Sequence, residues 1–266
     1  MKAAVLGSPI AHSKSPALHQ AAYRALGLDW TYERYEVGLG ALQRFLADRE
    51  GEFAGVSLTM PLKDEAFELA EVRDDASTAT LASNTLVFRD RRYGYNTDVT
   101  GFIEALRYRG IAQPDSVTIL GTGATARSAA FAMHSIGVGT ITVAGRRPAA
   151  LDAFLAWFAT CGGTATSVAW EAVPEVTDLT ISTTTAGATD ERALPPNCTT
   201  LFDVIYAPWP TEYAARWVRA GGTVLGGLDL LVHQAAEQVL LMTGVATELR
   251  PRIVEAMYAA VVAPGA

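Results

Sequence analysis

Three polar segments in the first half of the chain carry side chains that could perform acid–base chemistry. They are Gly7–Pro16 (GSPIAHSKSP), Gly55–Lys63 (GVSLTMPLK), and Asn84-Thr85 with Asn96-Thr97-Asp98. Each segment begins a predicted strand or lies just after one. Because the carboxyl ends of strands in an open parallel sheet meet at one edge, we expect hydroxyls, amides, one amine and one carboxylate to gather there. That set suits a polyhydroxylated acid better than an apolar ligand.

Lys63 is one of only three lysines among the 21 cationic residues, the others being Lys2 and Lys14. An arginine stays protonated at any working pH, whereas a lysine amine can lose its proton when it is desolvated or crowded. Near Asp98, such an amine could exchange a proton with a reacting alcohol or ketone. From the residues alone, two other interpretations stay open: Lys63 as a solvated residue that opens a helix, and Asp98 as a helix cap.

A glycine-rich turn, Gly121–Ala126 (GTGATA), lies between a predicted strand at Ser116–Leu120 and a predicted helix at Thr125–Ile136. The first glycine permits a sharp turn, and the second lets the backbone approach a pyrophosphate that rests on the helix N-terminus. The usual third glycine is replaced, with Ala124 next in line and Ala126 at the strict spacing. In this strand–turn–helix context the segment predicts nucleotide binding, with an ordinary tight turn as the alternative.

The following strand ends in Gly145-Arg146-Arg147. An NAD site carries an Asp or Glu about 20 residues beyond the glycine turn, where it accepts hydrogen bonds from the ribose. A carboxylate repels a 2′-phosphate, whereas a guanidinium can bind it with two parallel hydrogen bonds. Two arginines without an acid therefore predict NADP rather than NAD, with a solvated surface pair as the alternative.

Strand and helix patterns alternate along the 266 residues, which is typical of an α/β protein with a parallel sheet. Strands are predicted at Lys2–Gly7, Thr31–Glu36, Gly55–Leu58, Asn84–Arg89, Tyr93–Tyr95, Ser116–Leu120, Thr140–Ala144, Leu179–Ser182, Thr200–Asp203 and Thr223–Leu225. Helices are predicted at Pro16–Leu26, with Ser15 as its cap and Gly27 as its end, and at Ala41–Arg49, Gly101–Arg109, Thr125–Ile136, Thr211–Ala220, Leu228–Met242 and Thr247–Ala259.

The order of these elements predicts two domains. Residues 1–100 form an open α/β domain that contains the polar segments, and residues 101–227 form a Rossmann-like dinucleotide-binding domain. Residues 228–266 contain two helices and no strand, so we expect them to return to the first domain. On the first of these helices, Gln234 lies at the border of the apolar face, where its amide could point into a cleft or make a packing hydrogen bond.

The composition excludes several classes of protein. Hydrophobic residues make up 50% and charged residues 18%, which excludes a disordered chain. A net charge of −7 disfavours binding to nucleic acid or to a membrane surface. Two distant cysteines, Cys161 and Cys198, argue against a zinc or iron–sulfur site. Because no apolar stretch approaches the ~20 residues that span a bilayer, we expect a soluble, cytoplasmic protein without a metal.

The polar segments resemble, in the same order, the patterns GxPIxHSxSPxxHN, GxNVTxPxK, AxNT and NTDxxG of the shikimate dehydrogenase family. The nucleotide turn, the region of Arg146, Asp203–Tyr206 (DVIY) and the stretch from Gly227 to Gln234 extend the resemblance across nearly the whole chain. Several ordered motifs together are far more specific than any one of them. The resemblance implies an NADP-dependent oxidoreductase of aromatic amino acid biosynthesis that reversibly reduces 3-dehydroshikimate to shikimate.

The same resemblance implies a role for each matching position. Lys63 and Asp98 would form the catalytic pair, and both would also contact the substrate. The hydroxyls of Ser13 and Ser15 would bind the substrate carboxylate, with Tyr206 close by, and the ring hydroxyls would be held by Thr59, Asn84, Asp98 and Gln234. The cofactor would contact Gly121, Thr122, Gly123, Ala124, Thr125, Arg146, Arg147, Val204 and Gly227, with Asp75 as a further acid near it.

The chain also departs from the family pattern. Gln20, Ser57 and Leu58 replace Asn, Asn and Val, Gly145 replaces an Asn beside the cofactor, and Ser182–Thr185 (STTT) replaces an Asn-Ala-Thr-Ser run. These exchanges leave the acid–base pair intact and alter the surroundings of the adenine and the nicotinamide.

Two other functions stay open at this point. One is a quinate/shikimate dehydrogenase that prefers NAD, against which Arg146 and Arg147 argue. The other is a nucleotide-sensing Rossmann protein without turnover. The expected partner is a small-molecule substrate, with neither nucleic acid nor membrane, and the sequence does not distinguish a monomer from a homodimer.

Overall fold

The computed structural model describes residues 1–111 and 113–262. The chain divides into two compact units: a first unit of Met1–Gly101 with Leu231–Ala266, and a second unit of Phe102–Leu230. The predicted domain ranges, 1–100 with 228–266 and 101–227, include residues 112 and 263–266, which lie outside the described residues.

The first unit contains a six-stranded mixed sheet in the order β2-β1-β3-β5-β6-β4. Its strands are β1 (Lys2–Gly7), β2 (Thr31–Glu36), β3 (Gly55–Leu58), β4 (Val72–Arg73), β5 (Thr85–Phe88) and β6 (Arg92–Tyr95). Strand β1 pairs in parallel with β2 and β3, whereas β5 runs antiparallel to both β3 and β6. The carboxyl ends of β1, β3 and β6 therefore share one edge with the amino end of β5, where all the polar segments lie.

The helices are α1 (Ser15–Leu26), α2 (Leu42–Ala47), α3 (Lys63–Leu69), α4 (Asp75–Thr80), α5 (Thr97–Tyr108), α6 (Ala124–Ser135), α7 (Pro148–Thr160), α8 (Glu212–Arg219), α9 (Gly227–Thr243) and α10 (Arg250–Val262). Helix α10 packs against α1, so the C-terminal helices return to the first unit as predicted. None of the helices in the described part of the chain combines the length and apolar character needed to cross a membrane.

Helix α1 corrects one detail of the sequence analysis. Gly27 ends the helix with a φ of +69°, as predicted, but Ser15 is its first helical residue rather than its cap. The N–H of Ser15 donates to Ser13 Oγ at 3.3 Å, so the Ser13 hydroxyl provides a hydrogen-bond partner for the first N–H of the helix. The helix begins one residue before the predicted start at Pro16, and this proline still occupies its first turn.

The second unit contains a fully parallel six-stranded sheet in the order β12-β11-β10-β7-β8-β9. Its strands are β7 (Ser116–Leu120), β8 (Thr140–Gly145), β9 (Thr166–Ala169), β10 (Leu179–Ser182), β11 (Thr200–Asp203) and β12 (Thr223–Leu225). The strand order reverses between β7 and β10, which is the switch point where open parallel sheets bind ligands. Phe158, Phe202 and Trp217 are fully buried in this unit.

Candidate active site

Lys63 and Asp98 form a direct ion pair at the polar edge of the first sheet. After β3 ends, the Thr59 N–H donates to the Leu6 carbonyl of β1 at 3.0 Å, and the chain turns into α3, which begins at Lys63. Lys63 Nζ donates to Asp98 Oδ2 at 2.5 Å. The two side chains are only 15% and 8% exposed. Lys63 opens α3, as the simpler interpretation supposed, but it is largely buried and not solvated. Asp98 is the second residue of α5 and not its cap. The starts of these two helices bring the two charges together.

Asn84 holds the second oxygen of the Asp98 carboxylate. Its Nδ2 donates to Asp98 Oδ1 at 2.9 Å, while its Oδ1 accepts from the Thr97 N–H at 2.9 Å. The Asp98 N–H donates to Asn96 Oδ1 at 3.2 Å, which tethers the start of α5. The two oxygens of the Asp98 carboxylate are therefore each held, one by Lys63 and one by Asn84.

Gln234 reaches this cluster from α9, within the first unit. Its Oε1 accepts from Thr97 Oγ1 at 3.4 Å and, at the limit of a hydrogen bond, from Asn84 Nδ2 at 3.5 Å. Its Nε2 donates to the Leu231 carbonyl at 3.0 Å. The structure thus brings Lys63, Asn84, Asp98 and Gln234 into one hydrogen-bonded group.

The loop that follows β1 carries the other predicted polar residues of the first unit. Ser13 is half-buried and Ser15 is buried at the start of α1. A Cβ on Gly7 would overlap Thr59 Cγ2 and lie 2.9 Å from the Met60 carbonyl oxygen, so glycine is needed where the two loops cross. The Ser8 N–H donates to that carbonyl at 3.0 Å. Thr59 is therefore held beside the end of β1.

In the second unit, Gly121 ends β7 with a φ of +116°, a conformation that favours glycine. A Cβ there would lie 2.5 Å from Thr183 Oγ1. Gly123 occupies the cap position of α6, which begins with Ala124 and Thr125, and a Cβ on Gly123 would meet no described atom within 4 Å. The open backbone at this helix start suits a phosphate, since its first N–H groups lack partners within the helix.

Arg146 and Arg147 follow β8, the neighbour of β7, and both are exposed. A Cβ on Gly145 would lie 3.0 Å from Thr122 Cγ2 and 3.2 Å from Leu151. Gly145, which stands where the family pattern has Asn, therefore allows close packing, because a larger residue would crowd Thr122 and Leu151 of α7. Both arginines therefore lie at the carboxyl end of the strand that pairs with β7, the strand that leads into the glycine turn.

Val204 and Gly227 are in contact. The Gly227 N–H donates to the Ile205 carbonyl at 3.1 Å, and a Cβ on Gly227 would overlap the Val204 carbonyl oxygen. Buried Asp203 supports this loop by accepting from Thr211 Oγ1 at 2.7 Å and from the Ile205 N–H at 3.3 Å. Burial raises the pKa of the Asp203 carboxyl above its ordinary value.

The last two predicted residues belong to different units. Tyr206 is half-buried in the loop after β11, and burial raises the pKa of its phenol. Asp75 is exposed as the first residue of α4 in the first unit. No group of three or more His, Cys, Asp or Glu side chains placed to hold a metal ion occurs within residues 1–111 and 113–262.

Sequence reasoning missed Gln238, which is buried one turn after Gln234 on α9. Its Oε1 accepts from Ser57 Oγ at 2.8 Å, and its Nε2 donates to Thr85 Oγ1 at 3.0 Å. The available signal was the spacing of four residues between the two glutamines, which places both on one face of the helix.

A buried amine–carboxylate pair in one α/β unit and a dinucleotide-type turn in the other define an α/β oxidoreductase that uses a nicotinamide dinucleotide. The chain belongs to the shikimate dehydrogenase family. The model of the shikimate dehydrogenase substrate binding domain matches residues 5–86. The predictions of family and fold class are confirmed by relatives and solved structures that match over nearly the full length.

Individual relatives agree over nearly the full length. The NADP(+) shikimate dehydrogenase of Moorella thermoacetica is 33% identical over 91% of this chain and 87% of its own. The crystal structure of Mycobacterium tuberculosis shikimate dehydrogenase is 36% identical, with a TM-score of 0.86 over 97% of this chain and 99% of that one. The shikimate 5-dehydrogenase of Thermus thermophilus, in complex with NADP(H) and shikimate, is 31% identical, with a TM-score of 0.86 over 98% and 100%.

Proposed function

We propose that this chain catalyses the reversible, NADPH-dependent reduction of 3-dehydroshikimate to shikimate. The observation that carries the proposal is the buried Lys63–Asp98 pair, held by Asn84, in a chain whose family includes NADP(+) shikimate dehydrogenases. The first unit serves as the substrate-binding domain and the second as the NADP-binding domain. The predicted cytoplasmic location and the choice between monomer and homodimer stay predictions.

The nicotinamide, when bound, supplies or accepts the hydride, and the chain's own residues move the proton. In the reducing direction, the ketone oxygen gains a proton from the Lys63–Asp98 pair as the carbonyl becomes an alcohol. In the oxidising direction, the same pair removes that proton. Because Lys63 and Asp98 are hydrogen-bonded to each other, we treat them as one acid–base pair. The proton that reaches the ketone is assigned to this pair and not to either residue alone.

The remaining polar residues bind and orient the substrate. The hydroxyls of Ser13 and Ser15 bind its carboxylate, together with Tyr206. The ring hydroxyls are held by side chains at the edge of the first sheet and on α9, namely Thr59, Asn84, Asp98 and Gln234. Fixing several substrate groups at once aligns the reacting carbon and lowers the entropic barrier.

NADP binds the second unit through its phosphates and its nicotinamide. The turn from Gly121 to Thr125 receives the pyrophosphate, Arg146 and Arg147 receive the 2′-phosphate, and Val204 and Gly227 lie against the nicotinamide. Asp75 is proposed as an additional acid near the cofactor.

Replacing Ser13 by alanine should raise the KM for shikimate about tenfold and leave kcat within about twofold, because a hydrogen bond to a charged group contributes roughly 1.5–3 kcal/mol to binding. Steady-state kinetics at saturating NADP+ measures both parameters. Ser8→Ala is the matched control, since Ser8 lies in the same loop and its hydroxyl donates to Glu36 instead. A fall in kcat at constant KM would contradict the binding role of Ser13.

A matrix of two cofactors and two substrates tests the proposed function directly. Shikimate and quinate are each oxidised with NADP+ or NAD+, and the absorbance of the reduced cofactor is followed. We expect shikimate with NADP+ to have the highest kcat/KM. Faster quinate oxidation with NAD+ would favour the alternative dehydrogenase, and NADP binding without turnover of either acid would favour a nucleotide sensor.

A further inference from the structure

Asn84, which holds Asp98, is itself held by a line of buried hydrogen bonds. The Tyr32 hydroxyl donates to Ser57 Oγ at 2.7 Å, and Ser57 Oγ donates to Gln238 Oε1 at 2.8 Å. Gln238 Nε2 donates to Thr85 Oγ1 at 3.0 Å, and Thr85 Oγ1 donates to Asn84 Oδ1 at 2.9 Å. Each of these five side chains is at most 4% exposed.

The donor-to-acceptor direction of these hydrogen bonds is fixed along the whole line, because each hydroxyl has only one proton to donate. Ser57 receives a hydrogen bond from Tyr32 and gives its own proton to Gln238 Oε1, so the Gln238 amide must turn its Nε2 toward Thr85. Thr85 then has its proton free for Asn84 Oδ1. Asn84 Oδ1 thus accepts from the Thr85 hydroxyl as well as from the Thr97 N–H, which leaves Nδ2 to face Asp98.

Tyr32, the first donor in this line, also has a fixed protonation state. Burial raises the pKa of the Tyr32 phenol well above its ordinary value, so the phenol keeps the proton that it donates to Ser57. The His19 ring stacks on Tyr32 with a centroid separation of 3.8 Å. Burial lowers the pKa of His19 to about 4, so a neutral ring lies against the phenol at neutral pH.

The sequence offers an independent reason for Gln238 to take this role. Ser57 stands where the family pattern has Asn, and it lies directly opposite Thr85 in the pairing of β3 with β5. Side chains at directly opposite positions have Cβ atoms about 4.5–5.5 Å apart, so an asparagine amide at position 57 could reach Thr85 by itself. The shorter serine instead binds Gln238, whose amide extends the connection to Thr85.

We propose that Gln238 is a positioning residue for the Lys63–Asp98 pair, acting through Thr85 and Asn84. This inference rests on the proposed function and deepens it. Gln238 Nε2 donates both to Thr85 Oγ1 and, at 3.4 Å, to the Asn84 backbone carbonyl, so it holds Asn84 in the position from which Nδ2 reaches the Asp98 carboxylate. The Thr97 N–H orients the Asn84 amide, and Gln238 keeps that amide in place beside Asp98. Gln238 thus influences the reaction through the position of Asn84 and Asp98, without contacting the reacting atoms.

Gln238→Met tests this role, because methionine keeps the volume of the side chain and removes its three hydrogen bonds, to Ser57, Thr85 and the Asn84 carbonyl. We expect kcat for shikimate oxidation to fall about tenfold, with a smaller change in KM, since a small misplacement of a catalytic group slows the chemical step. Adding Ser57→Asn to this variant should restore most of the lost kcat, because the asparagine amide can reach Thr85 directly.

A double-mutant cycle separates positioning from packing. In an Asn84→Ala background, Gln238→Met should have no further effect on kcat, because its route to Asp98 is already cut. Val239→Ala is the matched control: Val239 is fully buried on the same helix, so its truncation lowers stability and should leave kcat unchanged.

The outcomes distinguish this inference from the proposed function. If the wild type turns over shikimate with NADP+ and Gln238→Met keeps its kcat, only the positioning role is overturned. That role is likewise overturned if Gln238→Met and Asn84→Ala have additive effects, or if Ser57→Asn restores nothing. A wild type that reduces no cofactor would overturn the proposed function, and this inference with it.

Discussion

Replacing Lys63 by alanine is expected to lower kcat for shikimate oxidation by about 10²–10⁴-fold, the usual contribution of a positioned acid or base. The substitution removes the only amine that contacts Asp98 among the described residues and leaves a buried carboxylate held by Asn84. The KM for shikimate should change less than kcat, because the proposed carboxylate-binding residues lie in another loop. Initial rates across shikimate and NADP+ concentrations separate the two parameters.

Stability must be measured alongside these rates. Removing one partner of a buried ion pair leaves an uncompensated charge and destabilises a protein by roughly 3–5 kcal/mol. Urea unfolding of the variant shows whether a folded protein has been assayed. Lys2→Ala is the control, since Lys2 also pairs with carboxylates, Glu33 and Glu52, outside the proposed site. An unchanged kcat for folded Lys63→Ala would remove this residue from the mechanism.

The double variant with Asp98→Asn completes this test. If the two residues exchange the proton as a unit, the loss in the double variant should be close to that of the more damaging single variant. Losses that multiply would show two independent contributions and would contradict a coupled pair.

The sheets of this fold follow from the sequence more directly than several of its helices do. Strand β1, for example, contains the short apolar run Ala3–Leu6, and all four of these residues are buried, which is the pattern expected of a strand covered on both faces. Helix α4 (DASTAT) lacks an apolar stripe. It is held instead by the Asp74 side chain, which accepts from the Ser77 N–H at 2.7 Å, and by Thr80, which accepts from Asn96. Such a helix depends on tertiary contacts that periodicity does not reveal.

Part of the candidate site could likewise be predicted from the sequence, and part could not. The meeting of Lys63 and Asp98 follows from placing two loops at one sheet edge, which sequence order alone suggests. The contact of Gln238 with Ser57 and with the Asn84 carbonyl does not, because Gln238 lies 181 residues from Ser57 along the chain. Spacing within one segment carries no information about that contact. Gly145 is similar, because its proximity to Thr122 arises only when β7 and β8 pair.

We expect the second large effect from Arg146 and Arg147, the two arginines that follow β8. Changing both Arg146 and Arg147 to alanine should lower kcat/KM for NADP+ by about 10²-fold, because each hydrogen-bonded charge contact contributes roughly 1.5–3 kcal/mol and solvent weakens contacts of exposed side chains. The value for NAD+ should stay within about twofold, since that cofactor has no 2′-phosphate for a guanidinium to bind. The single variants should each lose about tenfold if both side chains contact the phosphate.

Salt dependence distinguishes a phosphate contact from a general loss of structure. Raising the ionic strength should increase the KM of the wild type for NADP+ more than that for NAD+, and the double variant should lose this difference, because salt screens exposed charges. Arg219→Ala is the matched control, since Arg219 is an exposed arginine of the same unit that pairs with Glu212. Equal losses with NADP+ and NAD+ would mean that the arginines support the fold of the turn and not the choice of cofactor.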